Sequence, residues 1–236
     1  MAEEYVVPLT ELLEAGSHFG HQVRRWNPKM APYIYAERDG VHIFDLAKTA
    51  EGLKKSCEYV RDLVAGGGTL LIVGTKRQAR EIVKEEALTA GAPFVSERWL
   101  GGSITNWEQI KKSIDKLLEM RGKRDSGEYK KYTKKENVLI AREVERLGRF
   151  FGGMVALRKI PDAIFVVDTH REIVAVKEAR RNGLTVVGIV DTNADPELVD
   201  HIIPANDDAV RSIKLVVSSI AKAYADGKRM AEKRSQ

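Results

Sequence analysis

Residues 69–76 read Thr-Leu-Leu-Ile-Val-Gly-Thr-Lys, an apolar and β-branched run that ends in a glycine and two polar residues. This length and composition are typical of a strand that is buried on both faces of a parallel sheet. A helical pattern over 46–64, with apolar residues three and four apart, precedes the run and ends at the glycines 66–68. A second helical pattern covers about 76–90. Because the strand lies between two helices, the sequence predicts a parallel sheet with helices packed on it.

The same alternation returns in the second half of the chain. Strand patterns cover 163–167, 185–190 and 202–203, and helical patterns cover 171–181 and 209–225. Strands and helices in this order predict an α/β fold, a doubly wound parallel sheet with helices on both faces.

A different pattern interrupts the alternation in the middle of the chain. Two helical stripes, one starting at Trp107 and one ending near Phe151, are joined by a polar turn at Ser126 and Gly127. Their narrow apolar seams predict an antiparallel coiled-coil hairpin. The hairpin is an insertion, because the strand and helix alternation resumes after it.

The first part of the chain does not resemble a plain domain core. Residues 18–30 are basic and rich in turn formers, which predicts a surface arm, and Arg38-Asp39-Gly40 predicts a β-hairpin turn. The predicted organisation has four parts: an N-terminal helix, basic arm and β-hairpin at 1–44, the α/β sheet domain at 45–104 and 152–226, the inserted helical hairpin at 105–151, and a short basic tail at 227–236.

The positive charge of the chain is concentrated in the helical hairpin. Residues 108–149 hold 13 basic and 8 acidic side chains, a net of +5, which equals the net charge of the whole chain. A polyanion that meets this hairpin would explain the asymmetry. The alternative is that these charges only keep an exposed hairpin soluble, and the sequence leaves that alternative open for any single lysine.

Basic side chains next to tryptophans and amides suit a nucleic-acid partner, because lysine and arginine hold phosphates and aromatic rings stack on bases. Core packing is the competing role for each tryptophan. The candidate RNA-binding residues are Arg24, Arg25, Trp26, Asn27, Lys29, Lys76, Arg77, Arg98, Trp99, Asn106, Lys111, Lys112, Lys130, Lys131, Lys134 and Lys135.

An enzyme is the rival hypothesis. Asp168 and Asp191 end two predicted strands, at the edge where parallel sheets bind ligands, and Lys76 ends a third. They could serve a nucleotide- or phosphosugar-handling enzyme. However, the Gly-Thr-Lys turn lacks the spacing of a P-loop, and no set of nucleophile, base and orienting residue is recognisable. A scaffold that holds only other proteins is a third possibility.

One histidine and two aspartates suggest a metal site. His21, Asp191 and Asp207 could together hold a structural zinc or magnesium ion, although the sequence requires no cofactor. The single cysteine, Cys57, excludes an internal disulfide and a multi-cysteine zinc site. No apolar run approaches the roughly 18 residues of a membrane span, so we expect a cytoplasmic protein without a membrane partner.

Several segments, taken together and in order, resemble the small-subunit ribosomal protein two family. They read Leu-Leu-Glu-Ala-Gly-Ser-His-Phe-Gly-His at 12–21, Arg-Trp-Asn-Pro-Lys-Met at 25–30, Val-Gly-Thr-Lys at 73–76, Arg-Trp-Leu-Gly-Gly-Ser-Ile-Thr-Asn-Trp at 98–107, Pro-Asp-Ala-Ile-Phe-Val-Val-Asp at 161–168, Val-Asp-Thr-Asn-Ala-Asp-Pro at 190–196 and Ile-Pro-Ala-Asn-Asp-Asp-Ala at 203–209. The resemblance covers about residues 9–225.

The resemblance implies a flavodoxin-like sheet with an inserted coiled-coil hairpin, and a structural role in the small ribosomal subunit instead of catalysis. It further implies contacts with small-subunit ribosomal RNA through the basic arm, the Arg98-Trp99 loop and the hairpin. Neighbouring ribosomal proteins are implied partners, including the large OB-repeat protein that captures messenger RNA. The hairpin and the Gly-Thr-Lys motif resemble the bacterial or plastid type of this family.

Overall fold

The computed structural model describes residues 5–234. The predictions for residues 1–4 and 235–236 lie outside this range. The helices are α1 Leu9–Glu14, α2 Leu46–Ala65, α3 Arg80–Ala90, α4 Trp107–Asp125, α5 Lys134–Phe151, α6 Ile173–Arg181 and α7 Val210–Arg234. The strands are β1 Phe19–Gln22, β2 Ile34–Arg38, β3 Val41–Phe44, β4 Leu70–Val73, β5 Phe94–Val95, β6 Ala163–Val166, β7 Thr185–Val190 and β8 His201–Pro204.

Five parallel strands form the central sheet in the order β5-β4-β6-β7-β8. This is the flavodoxin-like order, in which the first strand of the sheet lies between the second and the third. The prediction of a flavodoxin-like parallel sheet is therefore confirmed. A separate antiparallel sheet has the order β1-β3-β2 and is built from the N-terminal part of the chain.

Strand β4 shows how the run that predicted the fold is used. All four of its residues are buried, but they belong to two cores. Leu70 and Ile72 pack in the core that contains α2, α3 and α7, whereas Leu71 and Val73 pack in the core on the opposite face of the sheet, which contains α6. Successive side chains of a strand point to opposite faces, so a continuous apolar run is what a doubly covered strand requires.

The helical hairpin leaves the sheet domain between β5 and β6. Helices α4 and α5 pack along the apolar seam that the sequence shows, with Ile114, Leu117, Val144 and Leu147 buried. A capping box starts α5, because the Thr133 hydroxyl accepts from the Glu136 backbone N–H and the Glu136 carboxylate accepts from the Thr133 backbone N–H. The buried residues of the hairpin seam belong to the same hydrophobic core as α6.

Two element boundaries differ from the predicted ones. Helix α3 begins at Arg80, later than the predicted start near Lys76, because residues 75–79 form a turn in which the Ala79 N–H donates to the Lys76 carbonyl. Helix α7 continues to Arg234, so the described residues after 226 extend a helix instead of forming a separate tail. Gly227 allows this, since a Cβ there would lie 2.5 Å from the Arg61 carbonyl oxygen on α2.

The predicted surface arm contains a strand that the sequence did not predict. Residues 18–30 contain strand β1, which pairs with β3, and they pack against the loops after β7 and β8. No strand pattern is visible in the sequence of this segment, because the partners that hold β1 come from distant parts of the chain. Within residues 5–234, no helix is both long enough and apolar enough to cross a bilayer.

Candidate nucleic-acid interface and arm anchor

The N-terminal segment closes over the carboxyl edge of the parallel sheet. The backbone N–H of His21 donates to Thr192 Oγ1 at 2.8 Å, and the Asn27 N–H donates to the Thr192 carbonyl at 2.7 Å. Asn206 Nδ2 donates to the Gly16 carbonyl at 3.0 Å. A Cβ at Gly20 would lie 2.6 Å from Thr192 Cγ2, so the close approach requires glycine. We call this contact between residues 16–27 and the sheet edge the arm anchor.

The side chain of His21 is the centre of the arm anchor. Its Nδ1 lies 3.0 Å from Asp191 Oδ1, and its Nε2 lies 3.6 Å from Asp208 Oδ2. Asp191 is fully buried. The hydrogen bond to Asp191 outweighs the effect of burial and raises the pKa of His21 above its usual 6.5. The imidazole thus joins the arm to two loops that follow strands of the sheet.

Lys76 does not reach outward, as the expected phosphate contact would require. Its Nζ lies 2.6 Å from Asp207 Oδ1, 2.7 Å from Asp208 Oδ1 and 3.1 Å from Asp168 Oδ2. Burial lowers the pKa of Lys76, but the three carboxylates outweigh it and raise the pKa above its usual value. The ammonium is buried and each of its three hydrogens faces a carboxylate, so Lys76 offers no free donor to RNA in this structure, and its contact with RNA stays a prediction that the geometry does not favour.

The three predicted ion ligands do come together. One ligand atom from each of His21, Asp191 and Asp207 lies within 4.8 Å of the others. Asp207 Oδ2 is buried and has no hydrogen-bond partner among residues 5–234. Burial, followed by the charges of Asp191 and Asp168, raises the pKa of Asp207 to about 8. Such an oxygen favours a proton or a cation beside it, and the donor set of one imidazole and two carboxylates fits a divalent ion.

The loop from Arg98 to Asn106 presents some of its predicted contacts and hides one. Arg98 and Asn106 are exposed. Trp99 is only 8% exposed, and its Nε1 donates to Glu178 Oε1 at 3.2 Å. The indole packs in the core that contains α6, which agrees with the competing role of core packing and does not favour the stacking of Trp99 on RNA bases. Glu178 is a residue that the sequence reasoning missed.

The remaining predicted residues of the arm differ in how far they are exposed and in whether they are paired within the protein. Arg24 and Arg25 are exposed at the end of a short 3-10 helix. Trp26 is half-buried, with its ring centroid 4.9 Å from that of His42. The Asn27 side chain accepts from the Lys29 N–H. Lys29 forms ion pairs with Asp195 and Glu197, so its charge is already matched within the protein.

Ten of the 13 hairpin cations fall into two groups. Four of them pair with carboxylates of the hairpin itself, namely Lys116, Lys123, Arg124 and Arg146. The six predicted lysines, Lys111, Lys112, Lys130, Lys131, Lys134 and Lys135, are exposed. None of these six has a carboxylate oxygen of residues 5–234 within the 4.0 Å of an ion pair. Arg77 and Arg98 are likewise exposed and form no ion pair with any described carboxylate.

A second exposed surface is apolar. The outer face of the antiparallel sheet, together with α1, lines a groove of about 660 Å³. Leu13, Phe19 and Tyr35 lie on it and are 53%, 49% and 78% exposed. We call this the apolar face. Large exposed apolar side chains that cluster in this way are typical of contact surfaces for other proteins.

The rival enzyme hypothesis depends on Asp168, Asp191 and Lys76. The structure engages all three in internal contacts at the edge of the sheet, where the arm anchor also lies. The crevice in which α/β enzymes of this topology bind a ligand is thus covered by residues of the same chain.

The comparison with known families agrees with this geometry. A family model described as ribosomal protein S2 matches residues 12–227, which is most of the chain. The match includes the arm anchor, the helical hairpin and all five strands of the parallel sheet. The chain therefore belongs to the ribosomal protein S2 family, and it is a structural component of the small ribosomal subunit that serves in translation, not an enzyme.

Proposed function

We propose that this chain binds small-subunit ribosomal RNA through exposed cations of the arm, the 98–106 loop and the helical hairpin. The observation that carries the proposal is the set of six hairpin lysines without ion-pair partners among the described residues. A role in solubility alone would not explain why these six lysines lack the carboxylate partners that the other four hairpin cations have. Phosphates are the partners that such a set suits best.

The positions of these lysines suggest two separate contacts with RNA. Lys111 and Lys112 lie near the start of α4, whereas Lys130, Lys131, Lys134 and Lys135 lie around the turn at the far end of the hairpin. With a rise of 1.5 Å per helical residue, the two groups are roughly 25 Å apart. The hairpin would therefore bridge two sites on the RNA, and Arg24, Arg25 and Arg98 would add contacts near the sheet domain.

A matched pair of variants tests this proposal. One variant replaces Lys130, Lys131, Lys134 and Lys135 with glutamine, and the control replaces Lys116, Lys123, Arg124 and Arg146. Both lose four positive charges from the same hairpin. Affinity for small-subunit ribosomal RNA is measured at several salt concentrations, where each phosphate contact contributes about 0.9 to the slope of log affinity against log salt.

We expect the first variant to lose affinity and up to about 3.6 units of slope, and the control to lose much less. Equal losses in both variants would mean that only net charge matters. Binding that does not depend on salt would contradict the proposal outright. Reversing the charges of Arg24 and Arg25 tests the scaffold alternative, because a protein held only by other proteins would still sediment with small subunits.

We also propose that the apolar face docks the large OB-repeat ribosomal protein. RNA backbone is a poor partner for exposed Phe19, Tyr35 and Leu13, whereas another protein would remove their area from water. Replacing Phe19 and Tyr35 with serine should reduce the copies of the OB-repeat protein on reconstituted small subunits while this chain stays bound. Serine at Leu88 and Val174, which are 61% and 52% exposed on α3 and α6, provides the control. Unchanged occupancy in the first variant would refute the docking site.

We propose, finally, that His21, Asp191 and Asp207 hold one structural ion, zinc or magnesium. The unpartnered Oδ2 of Asp207 and the mixed donor set support this. The ion would join the arm to the sheet edge and stabilise the arm anchor. Calorimetric titration with zinc and magnesium salts should show binding at one site, which Asp207→Asn abolishes and Asp115→Asn, an exposed change on α4, preserves. Equal binding by both variants would exclude the site.

A further inference from the structure

The carboxylate of Glu178 on α6 accepts hydrogen bonds from five donors of one loop. Oε1 accepts from Trp99 Nε1 at 3.2 Å and from the Gly102 N–H at 2.8 Å. Oε2 accepts from the Ile104 N–H at 3.1 Å, and from the N–H and the hydroxyl of Thr105 at 3.3 and 3.2 Å. One side chain therefore satisfies most of the polar groups that the loop turns inward.

A carboxylate is the group that this arrangement requires. Five donors converge on two oxygens, and an ionised carboxylate offers only acceptors. A glutamine would keep one oxygen but would turn two N–H donors towards other donors. The hydrogen bonds from Gly102, Ile104 and Thr105 outweigh burial and lower the pKa of Glu178 below its usual 4.5, so the group is ionised at neutral pH. Backbone N–H groups thus bind an anion supplied by the protein itself.

The hydrogen bonds between Glu178 and the loop set the positions of Arg98 and of the start of α4, both of which carry exposed polar groups. Arg98 directly precedes Trp99, whose indole is fixed by Glu178, and its guanidinium has no carboxylate partner among residues 5–234. Asn106 and Trp107 directly follow Thr105 and start α4, the first helix of the hairpin. The anchored loop thus lies between the sheet domain and the base of the hairpin.

We propose that Glu178 is a positioning residue for RNA binding, which orders the 98–106 loop so that Arg98 meets a phosphate. The proposal rests on the RNA binding proposed above. Glu178 itself touches no RNA, because its carboxylate is saturated by the loop. Its effect on RNA binding must therefore pass through the loop that it orders. Arg98 is the cation of that loop, so a dependence on Arg98 separates positioning from a general contribution to stability and from an effect through α4.

The test is a double-mutant cycle of Glu178→Gln and Arg98→Gln, read out as affinity for small-subunit ribosomal RNA. Arg98→Gln should weaken binding roughly tenfold, the loss of one charge-assisted contact. Glu178→Gln should weaken it to a similar extent, and the double variant should be little weaker than either single variant. If the two losses multiply instead, Glu178 does not act through Arg98 and the proposal is overturned.

Glu97→Gln is the matched control, because Glu97 is exposed, adjoins Arg98 and has no ion-pair partner among the described residues. Both glutamine variants remove one negative charge near the proposed RNA site. Simple electrostatics predicts tighter RNA binding in both. Our proposal predicts tighter or equal binding for Glu97→Gln and weaker binding for Glu178→Gln, so the two effects differ in sign. Tighter binding by Glu178→Gln would overturn it.

A second variant covers the case in which Glu178→Gln does not fold. Trp99→Phe removes one of the five donors at a buried position that cannot touch RNA directly. It should weaken RNA binding in the same direction by a smaller factor, and only while Arg98 is present. An unchanged affinity would overturn the proposal.

The failures of the two proposals are distinguishable. If the variant without Lys130, Lys131, Lys134 and Lys135 loses affinity but Arg98→Gln does not, RNA binding stands and the positioning role of Glu178 is wrong. If none of the variants changes affinity, the proposed RNA interface fails and the positioning role fails with it.

Discussion

His21 Nδ1 lies 3.0 Å from Asp191 Oδ1, and this contact joins strand β1 of the N-terminal arm to the end of strand β7 in the parallel sheet. The carboxylate is fully buried and the imidazole is mostly buried. The antiparallel sheet and the parallel sheet are thereby connected by a pair of polar side chains as well as by apolar packing. The stability of the arm should depend on this pair.

We expect His21→Ala to lower the free energy of unfolding by about 1–3 kcal/mol, because it leaves the Asp191 carboxylate buried without this partner. Urea denaturation gives the free energy, and limited proteolysis should cut within residues 19–44 faster than in the parent chain. His170→Ala, at an exposed position, is the control and should leave both unchanged. A His21→Ala protein as stable and as resistant as the parent would show that the contact contributes nothing.

Replacing Lys76 with methionine should be more damaging. The change leaves Asp168, Asp207 and Asp208 close together without their shared cation, and removing one partner of a buried ion pair costs about 3–5 kcal/mol. Thermal and urea denaturation measure the loss. Lys84→Met, on the exposed side of α3, should cost less than about 0.5 kcal/mol. Equal stability of the two variants would mean that the carboxylates are neutralised by other means.

Cys57 should be inert in the folded protein. It is fully buried on α2, and burial raises the pKa of the thiol to about 12, so little thiolate exists at neutral pH. We expect a maleimide or disulfide reagent at pH 8 to react only as fast as the protein unfolds, and to react at once in concentrated urea. Rapid labelling of one thiol in native buffer would contradict the packing of α2.

The hydrogen bonds between Glu178 and the 98–106 loop predict that the stability of the protein depends on pH in the acid range. The folded-state pKa of Glu178 lies below its usual 4.5, so its contribution to stability is fully present above about pH 4.5. That contribution is lost as the pH falls through the folded-state value. The difference in urea midpoint between the parent and Glu178→Gln should therefore shrink in acid, whereas Glu97→Gln should show no such trend. A difference that is constant from pH 7 to acid would show that the carboxylate charge is irrelevant.

The sheet and the hairpin could be predicted because their signals are local. The apolar run at 69–73 reflects two covered faces, and the stripes of α4 and α5 reflect one narrow seam each. Both patterns follow from the geometry of a few neighbouring residues. The proximity of Asp191 and Asp207 also follows from the topology, since residues after parallel strands meet at one edge of the sheet, whereas an ion bound there stays a prediction.

The sequence could not reveal the contacts of Lys76 and Trp99, because their partners lie far away in the chain. Lys76 resembles a phosphate-binding lysine until Asp168, Asp207 and Asp208 are placed around it. Trp99 resembles a residue that stacks on bases, but its indole N–H donates to Glu178, which lies 79 residues later. No window of local sequence contains these pairs, so residue type and spacing could not reveal them.

One ion pair of the hairpin was equally hidden from the sequence. Lys116 on α4 pairs with Glu143 on α5, across 27 residues of chain. Nothing near Lys116 in sequence distinguishes it from Lys111 or Lys112, which have no such partner among the described residues. For this pair, the register of α4 against α5 decides that the charge is matched, whereas the other three pairs join residues one to four positions apart on one helix.

The arm anchor also imposes an order of events on synthesis. The N–H of His21 needs a side chain that follows 171 residues later, and the Gly16 carbonyl needs one that follows 190 residues later. At translation rates of about 5–20 residues per second, residues 16–21 wait roughly 9 to 38 s for these partners to be made. A segment that is made early is thus among the last to reach its native position, and the arm anchor cannot form until Thr192 and Asn206 have been synthesised.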